Sequence, residues 1–245
     1  MKSIKSEHQY RKDKVLGIVV NEYIKTVNPV SSGFIVQEYP LDLSSATIRN
    51  ILAELEEEGY LMHPHTSAGR MPTQEGYRYY VDNLMNEIQL LGAEKQRIRQ
   101  EYFKEACDLE NLLEKTSEAI SDLTHYTSII SIDGKDRMFC RGTNYVVQYS
   151  DYQQDLHRIQ SILEALEKKE RILHLLNQGL QRKIQIYIGH ELAHSNIQNC
   201  SLAVSRYEAH NGTTGRIAVL GPTRMDYQKV VSTLDYISQL MKEIL

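Results

Sequence analysis

The 245-residue chain has no tryptophan, three phenylalanines, five prolines and three cysteines. Cys107, Cys140 and Cys200 lie far apart with no Cys-x-x-Cys spacing, which argues against a disulfide framework and a cysteine-based zinc site. They read as small buried thiols. No uncharged apolar run reaches the roughly 18 residues of a membrane span. The first fourteen residues, MKSIKSEHQYRKDK, lack the apolar centre of a signal peptide, so a cytoplasmic protein is expected. There is no internal repeat, no Gly-rich phosphate loop and no nucleophile, base and orienter set, so neither catalysis nor a cofactor is expected. What is present is 41% hydrophobic residues, 24% charged residues and sixteen tyrosines, enough for the core of one large or two modest domains. The net charge of −4, taken as an average, counts against nucleic acid as a partner.

Three helices open the chain. Val15, Leu16, Val19 and Tyr23 form a stripe over residues 14–26, with Pro29 beyond it. A short helix fits Ser32 to Glu38 before Pro40. Ser44 offers an N-cap to a third helix, Ser45 to Glu58, in which Ile48, Ile51, Leu52 and Leu55 share a face and Gly59 ends the run. Tyr60 and Leu61 read as a short strand, MHPHTSAGRMPT as a turn-rich stretch leading to a second one, and Thr73 as the cap of a helix containing Gly76 to Met85. Three helices followed by strand, turn and strand make the winged helix-turn-helix pattern.

Residues from Glu87 to about Leu123 read as helical, with Ile98, Tyr102, Leu109, Leu112 or Leu113, Ile120 and Leu123 near heptad spacing. Core packing is favoured over a coiled coil because Gly92 and Cys107 interrupt the seam. Thr127 to Ile132 and Arg137 to Cys140 form a hairpin about Asp133-Gly134. An amphipathic helix follows from Leu156 to about Leu176 on Leu156, Ile159, Leu163, Leu166, Leu173 and Leu176. Strands are expected at Lys183 to Ile188, Cys200 to Tyr207 and Arg216 to Leu220, and a final helix from Asp226 to Leu245. The fold class is therefore α+β. The expected organisation is a winged-helix domain over residues 1–85, a connecting helix over 86–123 and an α+β domain with a C-terminal helix over 124–245.

The third helix carries the functional signal. With Ile48, Leu52 and Leu55 inward, 100° per residue turns Ala46, Arg49, Asn50 and Ala53 outward. Such a face suits the major groove: arginine can bond bidentately to guanine, asparagine to adenine, and small residues allow close approach. Ser44, Ser45 and Thr47 bring hydroxyls to the helix start, where phosphates bind. Residues 1–85 hold nine Lys and Arg against eleven Asp and Glu, yet 43–53 and 62–74 contain no acid. Lys2, Lys5, Arg11, Lys12 and Lys14 suggest a basic arm. Modest, salt-dependent affinity per monomer, raised by dimerisation, is expected.

Ser44-Ser45-Ala46-Thr47-Ile48-Arg49-Asn50, then Pro64-His65-Thr66-Ser67-Ala68-Gly69-Arg70-Met71-Pro72-Thr73, then Gly76-Tyr77-Arg78-Tyr79-Tyr80-Val81-Asp82 resemble the bacterial heat-inducible transcription repressor HrcA family. The stretch from Gly215 through Gly221-Pro222-Thr223-Arg224-Met225-Asp226-Tyr227 is similar to that family's C-terminal signature. The resemblance implies an N-terminal winged helix-turn-helix followed by a compact GAF-like α+β domain. It further implies a homodimer on an inverted-repeat operator in double-stranded DNA upstream of chaperone operons, with the GroE chaperonin as modulator, in the cytoplasm at the nucleoid. Carried over by position, Ser44, Ser45, Thr47, Arg49 and Asn50 fall on the recognition helix, and His65, Thr66, Ser67, Gly69 and Arg70 on the wing. Gly69 would permit the turn, Arg70 reach a phosphate or the minor groove, and Thr66 and Ser67 bond backbone oxygens. Tyr80 is expected to pack the fourth helix on the first, and Arg78 to bond phosphate or an acid.

The chain departs from the family at Ser45, where proline is usual, and at Ser31-Ser32-Gly33-Phe34, which implies an operator preference of its own. Relatives also carry a dimerising insert within the GAF-like domain, whereas the Asp133-Gly134 hairpin closes the region between Ile130 and Cys140. Two other readings compete. His190-Glu191-Leu192-Ala193-His194 matches the H-E-x-x-H of zinc hydrolases, but it follows a strand, Ser195-Asn196 interrupts any helix, and a third ligand would fall on Cys200. A ligand sensor is suggested by the Gly221-Pro222-Thr223 turn, whose N–H groups and Arg224 could hold an anion; a helix cap with a tight turn is the plainer reading.

Overall fold

In a computed structural model, residues 7–64, 69–86, 90, 92–104, 109–135, 137–148, 156–167, 172–173, 176, 182–192, 197–209 and 212–244 are described. The chain divides into two compact units, Met1–Asn86 and Glu87–Leu245.

The first unit begins with α1 (Glu7–Thr26), which starts seven residues before the expected helix. Its extra turns are held by polar contacts within the helix and to distant residues. The Asp13 carboxylate accepts from Gln9 and from the Tyr79 hydroxyl at 2.9 Å each, and the Lys12 ammonium pairs with Glu58 while only 5% exposed. The expected basic arm is thus partly this helix. Arg11 pairs with Glu7, and Lys14 lies 4.6 Å from the Tyr10 ring centroid; Lys2 and Lys5 lie outside the described residues. The helix ends before Pro29, because Val27 adopts φ +57° while its N–H donates to the Tyr23 carbonyl at 2.9 Å. A β-branched residue in that region is strained by roughly 1–2 kcal/mol. Val27→Gly is therefore expected to raise the unfolding midpoint of this unit in a thermal or urea melt; an unchanged or lower midpoint would remove the strain argument.

Helix α2 (Ser32–Glu38) is capped by the Ser31 hydroxyl, which accepts from Phe34 N–H, and α3 (Ser45–Glu57) by Ser44, which accepts from Thr47 N–H. Both caps satisfy helix-start donors that would otherwise be orphaned. Gly59, at φ +80°, turns the chain out of α3. Strands β1 (Leu61–Met62) and β2 (Met71–Pro72) pair antiparallel, Leu61 opposite Pro72 and Met62 opposite Met71. Thr73 caps α4 (Gln74–Tyr79), and a π-helical turn, Tyr80–Leu84, ends the unit. Tyr80 is buried and donates to Asn21 on α1 at 2.8 Å, so it packs the fourth helix on the first. Arg78 pairs with Asp82 at 3.7 Å.

The second unit opens with α5 (Gly92–Lys104) and α6 (Leu109–Thr124), both overlapping the stretch expected as a connecting helix. Ile98, Leu112, Leu113, Ile120 and Leu123 are buried, so the near-heptad stripe is a core face. Five antiparallel strands follow: β3 (Thr127–Ile132), β4 (Met138–Arg141), β5 (Ile184–Ile188), β6 (Cys200–Glu208) and β7 (Thr214–Pro222). Their order in the sheet is β4-β3-β7-β6-β5. Gly134, at φ +73°, supplies the turn expected between β3 and β4. Between β4 and β5 lie α7 (Tyr145–Gln148) and α8 (Leu156–Glu167), and α9 (Tyr227–Ile244) closes the chain.

Alternation along the strands gives the sheet two different faces. Ile129, Leu202, Val204, Ala218 and Leu220 join an apolar cluster with Ile159, Ile162 and Leu166 of α8. Leu156, expected on that stripe, is 76% exposed. The other face is rich in serine and packs on α6 and α9. The Ser117 and Ser128 hydroxyls lie 2.6 Å apart, Ser201 is 2.9 Å from the Tyr227 hydroxyl, and Ser205 is 3.0 Å from Ser238. Small hydroxyl side chains let the helices approach the sheet and satisfy one another once dry. On α9, Tyr227, Val230, Leu234, Ile237 and Met241 are fully buried.

Cys200 is buried and Cys140 half-buried against the apolar cluster; Cys107 lies outside the described residues. Burial pushes the Cys140 thiol up from its ordinary 9.0 to about 11. A folded-state value above the unfolded one contributes stability that is complete below pH 9 and lost as the pH rises through 11. The urea midpoint is thus expected to fall between pH 9 and 11, and Cys140→Ala to flatten that part of the profile. An equally steep profile in the variant would assign the loss to other groups.

Candidate nucleic-acid interface

Helix α3 sets the geometry of the site. Ile48, Ile51, Leu52 and Leu55 are at most 5% exposed, which leaves Ala46, Arg49 and Asn50 exposed on the opposite face. Among the described residues Arg49 has no ion pair. Ser44 and Thr47 sit at the helix start with their hydroxyls 2.9 Å apart, so each is held while keeping capacity for a further bond. Ser45 is half-exposed beside them.

Three of the four acids at the end of this helix have partners, and Glu57 is exposed. Glu54 bonds His8 at 2.7 Å, Glu58 pairs with Lys12, and Glu56 binds both His63 and Arg70, the latter at 2.7 Å. The exposed first half of α3 therefore presents Arg49 as its charge, and the acidic second half is tied to α1 and to the hairpin. Sequence reasoning found the acid-free segments but not these partners. The available signal was spacing: Glu56 stands seven residues after Arg49, almost the same angle on a helix.

The hairpin brings Gly69 and Arg70 beside Val30. Val30 N–H donates to the Arg70 carbonyl and Arg70 N–H to the Val30 carbonyl, both at 2.8 Å, so the segment before α2 adds a third strand-like bridge. Gly69 is needed for this approach: a Cβ there would lie 2.5 Å from the Val30 carbonyl carbon and 2.8 Å from that of Pro29. Its task is close backbone packing rather than the turn expected of it. The Arg70 guanidinium lies on Glu56, not free in solvent. His65, Thr66 and Ser67 lie outside the described residues.

The competing motifs take ordinary structural positions. Gly189–Glu191 form a 3-10 turn and the Glu191 carboxylate accepts from Ile188 N–H at 2.8 Å, so its spacing is not that of an α-helical zinc motif; His194 lies outside the described residues. No group of three or more potential metal ligands occurs among the described residues. Gly221 and Pro222 belong to β7, Thr223 N–H donates to the Asn199 carbonyl at 3.3 Å, and Asp226 caps α9 by accepting from Lys229 N–H. That helix start is already occupied by a carboxylate. No described helix is long and apolar enough to cross a membrane.

Fold and site together define an α+β protein of two units: a helical unit with a short hairpin and an exposed Arg/Asn helix face, then a five-stranded antiparallel sheet with helices. The family model described as "HrcA protein C terminal domain" matches residues 130–231. Proteins named "Heat-inducible transcription repressor HrcA" align over nearly the whole chain. The one from Pelotomaculum thermopropionicum is 27% identical over 335 residues, covering 96% of each chain. Those from Carboxydothermus hydrogenoformans and Desulforamulus reducens are 28% and 29% identical, covering 96% of this chain and 97% and 96% of their own. A crystal structure of a hypothetical protein shares the fold, with a TM-score of 0.77 at 19% identity over 96% of this chain and 97% of its own. The chain is thus similar over nearly its whole length to proteins named as HrcA transcription repressors, and part of its second unit to that family's C-terminal domain. It is shorter than these relatives, since an alignment of 335 positions exceeds its 245 residues by 90.

Proposed function

We propose that this protein is a sequence-specific DNA-binding repressor of heat-shock operons. Its first unit acts as a winged helix-turn-helix and its second as a GAF-like domain. The observation that supports this most is the first half of α3, where Arg49 and Asn50 stand exposed between small residues while Glu54, Glu56 and Glu58 at the far end are paired. Arg49 and Asn50 read base edges in the major groove. Ser44, Ser45 and Thr47 meet phosphates at the helix start, and His65, Thr66 and Ser67 contact the backbone from the wing. Two copies related by a two-fold axis place these helices in successive major grooves of an inverted repeat. The protein then acts in the cytoplasm, at the nucleoid, by occupying an operator. The GroE chaperonin restores a dimer lost on warming.

Selection of genomic fragments by the purified protein at controlled salt, beside a mass measurement of the free protein, tests the reading. Enrichment of an inverted repeat near chaperone genes is expected, with affinity falling steeply with salt. Recovery of fragments without a common sequence would reject specific repression. If prior heating and added chaperonin both leave operator affinity unchanged, the heat response is lost from the proposal.

A further inference from the structure

We infer that Glu56 is the positioning residue of the wing, and that Arg70 acts through it rather than on a DNA phosphate. The inference rests on the winged-helix reading above and assigns a task within it.

Glu56 follows Arg49 by seven residues, so the two share one stripe of α3, about 10 Å apart along the axis. A bare carboxylate there would face the same polyanion that Arg49 reads. It is not bare. One carboxylate oxygen bonds His63 Nδ1, directly after β1, and the other takes the Arg70 guanidinium at 2.7 Å, directly before β2. Both ends of the wing loop are therefore fastened to one side chain of the recognition helix. The neighbouring charges are engaged elsewhere, His8 with Glu54 and Lys12 with Glu58.

Arg70 is poorly placed to reach outward. Its backbone is bonded on both sides to Val30, Gly69 before it leaves no room to shift, and its side chain is 23% exposed. Its Nε is buried with no hydrogen-bond partner. A buried, unpaired donor is tolerated where the rest of the group is held by a strong charge-assisted bond, here to Glu56. The arrangement fixes the wing's base at a set height above the helix face before DNA arrives, and saves the ordering cost on binding.

The test compares wild type with Glu56→Gln, Arg70→Gln and the double variant, all shown to be folded by circular dichroism. Two readouts are taken: operator affinity over a salt series for all four proteins, and the rate of limited tryptic cleavage after Arg70 for wild type and Glu56→Gln, which keep the one trypsin site within residues 63–72. Each single variant is expected to weaken binding about fivefold to tenfold, and the double to be no weaker than either, as for one coupled pair. The slope of log affinity against log salt stays at the wild-type value. Loosening by Glu56→Gln is notable in sign, because removing a negative charge near DNA would by itself tighten binding. Tryptic cleavage after Arg70 is expected to accelerate in Glu56→Gln. A slope reduced by about one in Arg70→Gln is the signature of a lost phosphate contact and would overturn the inference. So would tighter binding by Glu56→Gln, or an unchanged cleavage rate. If wild-type protein binds no DNA at any salt, the repressor reading falls, and cleavage alone then decides whether Glu56 holds the wing.

Discussion

Gly76→Ala is expected to unfold or severely destabilise the first unit, although alanine is the better helix former. On propensity alone the exchange in α4 would gain about 1 kcal/mol. A Cβ at position 76, however, would stand 2.1 Å from the Tyr60 carbonyl oxygen and 3.1 Å from its carbon, and neither is the end of a flexible side chain. Tyr60 cannot retreat cheaply, because its N–H bonds the Leu55 carbonyl at 2.9 Å and its own carbonyl accepts from Thr73 N–H at 3.1 Å. The same residue leads into β1. Moving it would disturb the end of α3, the hairpin and the cap of α4 together. Overpacking against backbone costs about 1–3 kcal/mol or more, which outweighs the propensity gain. Gly17→Ala in α1 is the control, since a Cβ there meets nothing within 4 Å; it is expected to stabilise by roughly 0.5–1 kcal/mol. Thermal melts of the two variants should move in opposite directions. A Gly76→Ala protein that melts with or above wild type would show that α4 can shift freely on Tyr60.

Arg49→Ala is expected to cost about 1–3 kcal/mol of operator affinity, roughly fivefold to 150-fold, while leaving the melt unchanged. The side chain is exposed and makes no ion pair among the described residues, so its loss leaves no buried partner unsatisfied in the free protein. The effect should fall mostly on the specific site. Affinity for unrelated DNA is expected to drop less, because one lost base contact leaves the phosphate contacts in place. Asn50→Ala should behave similarly at a different base pair. The measurement is a titration at one fixed salt against the selected repeat and a scrambled duplex. Equal losses on both would demote Arg49 to a phosphate contact, and no loss on either would remove it from the interface.

These two residues differ in how they could be found. Arg49 was legible from periodicity, since the apolar stripe of α3 dictates what faces outward. The caps at Ser44 and Thr73 and the Asp133-Gly134 turn were legible for the same reason: their hydrogen bonds and dihedrals involve residues two or three apart. The requirement for glycine at 69 and 76 was not, because it arises from backbone segments 39 and 16 residues away in the chain, Val30 and Tyr60. The burial of Lys12 depends on Glu58, and the occupation of Arg70 on Glu56. A lysine in a basic opening segment and an arginine in a wing carry no local mark of such partners. Leu156 fitted its apolar stripe but is exposed.

Sequence alone determined the order of helices and strands, the outward face of α3, and a resemblance to a family of repressors. Each rests on local spacing or on motifs that read the same in any environment. Tertiary structure alone decided which charges remain available to a partner. Acids and bases far apart in the chain meet only after folding, and an exposed cation and a paired one are the same letter until then. The negative net charge lost its force as an objection once Glu54, Glu56 and Glu58 each proved to hold a cation or histidine.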